Sequence, residues 1–513
     1  MKPGSVEESS QVRGKVSRMS RAPKRARKTP DDDGADRLSD LPEGILCHIL
    51  TFLDTKYAVA TCVLSTRWKD LFLSLPNIVL DDSLTRKRRN KKVLLEFAKF
   101  GLKQIMLRDV PHINKFGLRC NFNFKDHAIQ TLVCAAIWRN VKEVDICVGK
   151  RVVTGILPPE VFTSRTLVVL KLRGRVKLDI PEFVSLPKLK VILLGDFILA
   201  SDDSMRRLFR GCKLLEDLSM SKCNFWLVDV LDLSTPLLRK LSFNYPCSIV
   251  ETKLVIDTPN LEFFEYRGHT AKFNLVKKLK SLARAEIYFV TAPKLKNSFV
   301  EDHRENVSEF INKLCGVKSL YLSIDSLEAM YPGCFSLYVF ETLTALELVG
   351  AFNLQILPSI LESAPQLEVL IIPISWLIYH DARGEAPYSL PETVPVCLAK
   401  HLRNIKFKYF RALESVFQLV KYFLQNGKVM ERMIFSGLGP WDSDLSLSAR
   451  KKISMFPRCS ETCEIMVALP ERTVEVVDVP TEALQRGLTA AEKVYGGDKG
   501  SDKEWHLRVT RDV

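Results

Sequence analysis

The chain has 513 residues, of which 46% are hydrophobic and 26% charged, so it is long enough for more than one core and too apolar to be disordered throughout. Its formal charge of +15 permits contact with nucleic acid or anionic lipid without requiring either. No run reaches the roughly 18 uncharged apolar residues of a membrane-spanning helix, and residues 1–35 lack the apolar stretch of a secretory signal, so an intracellular protein with no membrane contact is expected.

Residues 1–35 are rich in Ser, Gly, Lys, Arg and Asp, and read as a disordered basic tail. Within it, Lys24, Arg25, Arg27 and Lys28 form a compact cationic cluster, a candidate nuclear-import signal or simply solvated charge. A helical segment is expected over residues 36–76, within a unit ending near residue 80. Asp40 is placed to cap a helix whose first turn carries Pro42 and Glu43. Pro42, Ile45, Leu46, Ile49 and Leu53 then follow a helical rhythm. A second apolar run spans Ala58 to Leu64. Ser65 can cap a third helix bearing Trp68, Leu71, Phe72 and Leu75. The basic run Arg86–Lys92 reads as part of a linker over residues 81–100.

From residue 101 a motif recurs: apolar, two spacers, apolar, one spacer, apolar. It stands at Leu102/Ile105/Leu107, Val141/Val144/Ile146, Leu167/Leu170/Leu172, Leu189/Ile192/Leu194, Leu215/Leu218/Met220, Leu238/Leu241/Phe243 and Leu261/Phe264/Tyr266, with further copies as far as Met430/Met433/Phe435. From Leu167 to Leu261 the copies start at intervals of 22 to 26 residues, the period of leucine-rich repeats. Each copy would supply one short strand with alternate residues in a shared core, covered only by its neighbours. The residue between the last two apolar anchors then points onto the concave sheet face. Lys171, Leu193, Ser219, Ser242, Glu265, Tyr321, Glu347, Ile371 and Lys406 hold that position, and their varied chemistry suits partner selection. Repeats are expected over 101–385, a region continuing the solenoid over 386–470, and a flexible tail over 471–513.

The segment from Asp36 to Leu53, with Leu41-Pro42 at its head, and the segment Ala58–Leu71, with Ser65-Thr66-Arg67-Trp68, resemble the two halves of an F-box. Leu357–Leu367 resembles the segment leading into the C-terminal FBD region of plant F-box proteins with leucine-rich repeats, and Val394–Leu398, Leu402–Phe407 and Leu419–Met433 are similar to that region's core. The resemblance implies an α/β fold: a small N-terminal helical F-box, an irregular solenoid of parallel strands with helices, and an FBD cap. It also implies a non-catalytic substrate receptor of a Skp–cullin–F-box ubiquitin ligase, in the nucleus or cytoplasm. The F-box would bind a Skp-type adaptor and, through it, cullin and RING subunits. Leu41, Pro42, Ile45, Leu46, Ile49, Leu53, Val63, Leu64 and Trp68 are the candidate adaptor contacts, some of them expected to close the unit's own core instead.

No phosphate loop, dinucleotide fingerprint, His-Glu-x-x-His or Gly-x-Ser-x-Gly occurs, so no catalytic residue or cofactor is expected. Cys459 and Cys463 lack the further ligands of a zinc site, and His380 beside Asp381 is adjacency rather than geometry. The thirteen scattered cysteines, several beside aliphatic residues as at Cys134 and Cys147, read as reduced buried thiols. Two other readings remain open: an F-box scaffold outside any cullin complex, and a basic nucleic-acid-binding repeat protein using Lys24–Lys28 and Arg86–Lys92.

Overall fold

In a computed structural model, residues 41–468 are described except 54, 66, 83–90, 108–109, 111, 121–125, 150–152, 155–156, 200, 226, 245–251, 269–271, 276–278, 290–308, 324–338, 350–355, 375–389, 391–392, 411–412 and 438–446. The expected tails, the cationic cluster Lys24–Lys28 and His380 lie outside the described residues. The chain divides into two compact units, Met1–Val176 and Lys177–Val513.

The first unit begins with α1 (Glu43–Thr51), α2 (Thr55–Ala60) and α3 (Trp68–Leu71), with 3-10 turns at Thr61–Val63 and Phe72–Ser74. Pro42 caps α1 in place of the expected Asp40, which lies outside the described residues; the Pro42 carbonyl accepts from the Ile45 and Leu46 amides at 2.9 and 3.1 Å. Proline suits a helix start because its fixed φ is already helical and no donor is lost. Leu46, Leu50, Ala58, Trp68, Leu71 and Leu75 close one small core.

β1 (Asn77–Asp81), α4 (Lys91–Met106), β2 (Lys115–Cys120), α5 (Asp126–Trp138), β3 (Glu143–Val148), β4 (Val153–Thr154) and β5 (Val169–Leu178) follow. β1, β2, β3 and β5 pair successively in parallel, and β4 pairs with β5. Parallel neighbours require a crossover, which α4 and α5 provide between the first three strands. The helices are seated on this sheet: Thr55 Oγ1 accepts from the Val79 amide at 2.7 Å, taking up a donor of the edge strand.

Gly174, within β5, has φ +121°, and a Cβ there would lie 2.3 Å from the Val148 carbonyl oxygen. Gly174→Ala is therefore expected to cost about 1–3 kcal/mol for backbone conformation alone, read as a lower melting temperature of the full chain. Gly44, on α1 with open space around its Cα, is the control. Gly44→Ala should hold or raise stability, because alanine is the better helix former. Equal melting of both variants would contradict this account of Gly174.

The second unit contains β6 (Val191–Leu199), α6 (Asp202–Gly211), β7 (Asp217–Ser221), β8 (Val230–Leu233), β9 (Lys240–Asn244), β10 (Lys253–Ile256), β11 (Phe263–Gly268), β12 (Lys272–Leu275), β13 (Arg284–Phe289), β14 (Ser319–Ser323) and β15 (Ala345–Val349). It ends with α7 (Leu357–Ser363), β16 (Val369–Pro373), α8 (Val396–Lys400), β17 (Asn404–Lys408), α9 (Glu414–Asn426), β18 (Arg432–Ser436), α10 (Leu447–Ser454) and β19 (Glu464–Ala468). β6, β7, β9, β11 and β13 to β19 form one parallel ladder in that order. Alternate residues point inward, as Leu218 and Met220, Leu241 and Phe243, and Phe264 and Tyr266 do. Aromatic rings run from strand to strand: Phe243 to Tyr266 at 6.2 Å and Tyr266 to Phe289 at 5.8 Å between centroids. β8, β10 and β12 build a second parallel sheet, so the repeats beginning at β7, β9 and β11 each contribute two strands.

The α/β solenoid with an N-terminal helical unit agrees with the reading of the sequence, and β17–β19 continue the ladder through the C-terminal region. Several expectations need correction. Leu102/Ile105/Leu107 is no repeat strand: Leu102 and Ile105 lie on α4, where spacing of three residues marks a helix face as readily as a strand motif. Residues 91–100 of the expected linker are the first part of the same helix, and residues 83–90 lie outside the described residues. β1, β2, β13 and β19 were missed as repeat strands, although β1 and β2 carry the motif in full at Leu75/Ile78/Leu80 and Ile113/Phe116/Leu118, all of them buried. In β13 the reason is Ala285, whose small side chain occupies a buried anchor position. No helix among the described residues is long and apolar enough to cross a membrane.

Candidate functional site

α1 carries two apolar stripes. Leu46 and Leu50, one turn apart, are fully buried, whereas Ile45 and Ile49 belong to the neighbouring stripe, about 100° round the helix. Ile45 is exposed, Ile49 partly so, and the outward row continues to Phe52, 77% exposed, and Leu53. On the next elements Tyr57 and Leu64 are exposed, and Val63 on the 3-10 turn is 88% exposed. Large apolar side chains left in water by a unit whose own core is closed are characteristic of protein-docking surfaces.

Charged and polar groups accompany these residues. Glu43 lies in the first turn of α1, the Lys56 Nζ stands 5.9 Å from the Tyr57 ring centre, and His48 meets the Phe52 ring edge-on at 5.0 Å. The two sequence motifs are brought together by one bond: Arg67 Nη2 donates to the Leu41 carbonyl at 2.7 Å, across 26 residues of chain. That bond holds the Leu41-Pro42 turn in place, with Leu41 packed partly against the core.

The structure thus sorts the expected contacts. Pro42, Ile45, Leu53, Val63 and Leu64 are exposed, and Leu41 and Ile49 are half-buried. Leu46 and Trp68 are a correction: at 0% and 2% exposure they are core residues of the unit and present nothing to a partner. Phe52 and Tyr57 were missed by the sequence reading. Continuing the rhythm Ile45–Ile49 by three residues would have found Phe52; Tyr57 follows a turn that breaks the rhythm.

The second candidate surface is the sheet face turned away from the core. In the second unit one row runs across it through Leu193, Ser219, Ser242, Glu265, Glu286, Tyr321, Glu347, Ile371 and Lys406, each in register with the next. Its centre is an ionic lattice. Arg267 Nε donates to Glu265 at 2.8 Å, Arg267 lies 3.5 Å from Glu286, and Arg284 reaches Glu286 at 2.8 Å. Burial works against the Arg267 guanidinium, but the charge of Glu265, then Tyr321 and Glu286, outweighs it and holds its pKa above the usual arginine value. Lys408 Nζ donates to Glu347 at 2.6 Å.

Two residues expected to be accessible there are buried, which is a second correction. Ser242 donates to Glu265 Oε2 at 2.5 Å, and Tyr321 lies beneath the Arg267 guanidinium, 5.8 Å from ring centre to guanidinium carbon. The adjacent strand about 5 Å away covers the short Ser242, and the long Arg267 side chain reaches past β13 to lie over Tyr321. In the first unit Lys171 Nζ donates to Glu143 at 3.0 Å, and Lys115 stands 3.1 Å from the same carboxylate. Burial alone would raise the Glu143 pKa, but Lys171 and Lys115 outweigh it and hold the carboxyl below the usual range. Among the described residues no group of His, Cys, Asp and Glu is arranged to hold a metal ion.

Known proteins are similar to this chain in sequence. Residues 38–80 match the F-box domain family, residues 129–372 the leucine-rich repeats described for the FBD-associated F-box protein At5g56370, and residues 390–435 the FBD family. The chain is 32% identical over 446 residues to the F-box/LRR-repeat protein At4g14096 of Arabidopsis thaliana, covering 84% of this chain and 94% of that protein. It is 29% identical to the FBD-associated F-box protein At4g10400 of the same plant, over 74% of this chain and 86% of the relative. It is 28% identical to the F-box/FBD/LRR-repeat protein At2g26030, also of Arabidopsis thaliana, over 84% and 99%.

Proposed function

Because this chain belongs to the F-box/LRR-repeat family of plant proteins with a C-terminal FBD region, we propose that it is the target-binding subunit of a Skp–cullin–F-box ubiquitin ligase. The Skp-type adaptor docks on Leu41, Pro42, Ile45, Ile49, Phe52, Leu53, Val63 and Leu64, and brings the cullin and RING subunits with it. The sheet face of the repeats binds the target, through residues such as Lys171, Ser219, Glu265, Glu347 and Lys406. Ubiquitin transfer belongs to the other subunits, so this chain works without catalytic residue or cofactor, in the nucleus or cytoplasm.

One observation carries this reading most: Ile45, Phe52, Val63 and Leu64 stand in water although the core beside them is complete. A helix-lined apolar face of this kind gains stability only when another protein covers it. The test is affinity capture of the full chain co-expressed with a Skp-type adaptor, a cullin and a RING subunit. Recovery of all three supports a ligase receptor. Recovery of adaptor without cullin would replace it with a scaffold role, and recovery of neither would end the proposal.

A further inference from the structure

The open face of the first unit's sheet differs from the balanced lattice of the second. Apart from the half-buried Gly174, β5 alternates, so that Leu170, Leu172 and Val176 are buried while Lys171, Arg173 and Arg175 project from the other face. Alternate residues on a strand stand about 6.5–7 Å apart. Two strands away Arg119 is in register with Arg173 through Cys147, roughly 10 Å across the sheet. Cys147 between Arg119 and Arg173 is small, whereas Gly117 is buried under the Val79 side chain, which a Cβ there would press on at 3.2 Å.

The carboxylates on this face are already engaged. Glu143 is shared by Lys171 and Lys115, and Asp145 stands 3.8 Å from both Lys115 and Arg173. Asp81 lies in register with Arg119. Five cations, Lys115, Arg119, Lys171, Arg173 and Arg175, therefore face three carboxylates. Arg119 and Arg175 are exposed and make no ion pair among the described residues.

We infer that this face, around Arg119, Arg173 and Arg175, holds an extended segment of the target that carries Asp or Glu at alternate positions. The inference rests on the receptor reading and names the chemistry of its target. An extended peptide repeats its side chains on one side at the same spacing as the odd-numbered residues of β5. Guanidinium groups take carboxylates with two parallel hydrogen bonds, which a lysine-lined face does not offer. Nucleic acid is the poorer occupant. No outward position in the paired registers of β1, β2, β3 and β5 is aromatic, so bases have nothing to stack on.

The experiment uses the full chain bound to a Skp-type adaptor and a labelled synthetic peptide with Glu at alternate positions, compared with the same peptide carrying Gln. The Glu peptide should bind at least about tenfold more tightly and weaken as salt rises. Arg119→Glu/Arg173→Glu/Arg175→Glu should lose at least about tenfold in affinity for the Glu peptide, while the milder triple Gln variant loses less. Equal binding of the two peptides, or unchanged affinity in both triple variants, overturns the inference. So does displacement of the Glu peptide by oligothymidylate at the same concentration as by unlabelled peptide. Adaptor capture is read on the same preparations. Its loss in the wild-type chain would end the receptor reading, and its persistence isolates any failure to the peptide.

Discussion

Ile45→Asp combined with Leu64→Asp is expected to abolish capture of the Skp-type adaptor while the chain melts as the wild type does. Both side chains are exposed, and neither belongs to the cluster of Leu46, Leu50, Ala58, Trp68, Leu71 and Leu75. In the free chain each Asp remains hydrated and costs little. In the complex each would have to be desolvated against an apolar partner surface. Anchor residues at interfaces contribute about 2 kcal/mol or more apiece, so the pair should weaken binding by about 4 kcal/mol, on the order of a thousandfold. Titration of purified adaptor against the two chains measures this directly. Undiminished affinity in the double variant, with melting unchanged, would remove the outward stripe of α1 and the turn at Leu64 from the adaptor site.

Trp68→Ala should fail in a different way. Trp68 is the largest side chain closing the small helical core, and its removal leaves a cavity that short helices cannot collapse around. Large-to-small changes of this kind cost about 3–5 kcal/mol, a large share of the stability of so small a unit. Faster amide exchange and protease cleavage within residues 43–75 are expected, with adaptor capture falling as a consequence. The repeat strands of the second unit, with their own aromatic core, should keep their protection. If Trp68→Ala reduces adaptor capture while residues 43–75 stay as protected as in the wild type, Trp68 contacts the partner and its assignment to the core is wrong. The contrast between the two variants separates a docking residue from a core residue, which neither measurement does alone.

Much of this was legible in the sequence because alternation is a local property. Leu218/Met220, Leu241/Phe243 and Phe264/Tyr266 announce their strands by spacing alone, and the recurrence of that spacing implies stacking, since no single repeat can cover its own apolar face. The rhythm of Pro42, Ile45, Leu46 and Ile49 likewise fixed a helix in the right place. What the sequence left undetermined was direction. Ile45/Ile49 and Leu46/Leu50 are equally apolar stripes one residue apart, and only the arrival of Ala58 and Trp68 from later helices decides that the second is inside. The same holds at Leu102 and Ile105, where the spacing suits strand and helix alike. It holds for Ser242 and Tyr321, hidden by Glu265 and Arg267 of β11, the strand beside Ser242 and two strands from Tyr321. Periodicity along the chain therefore determined which elements form and how they repeat. Which face of each meets water was settled by residues distant in sequence, because burial depends on what packs against a side chain and not on the side chain itself.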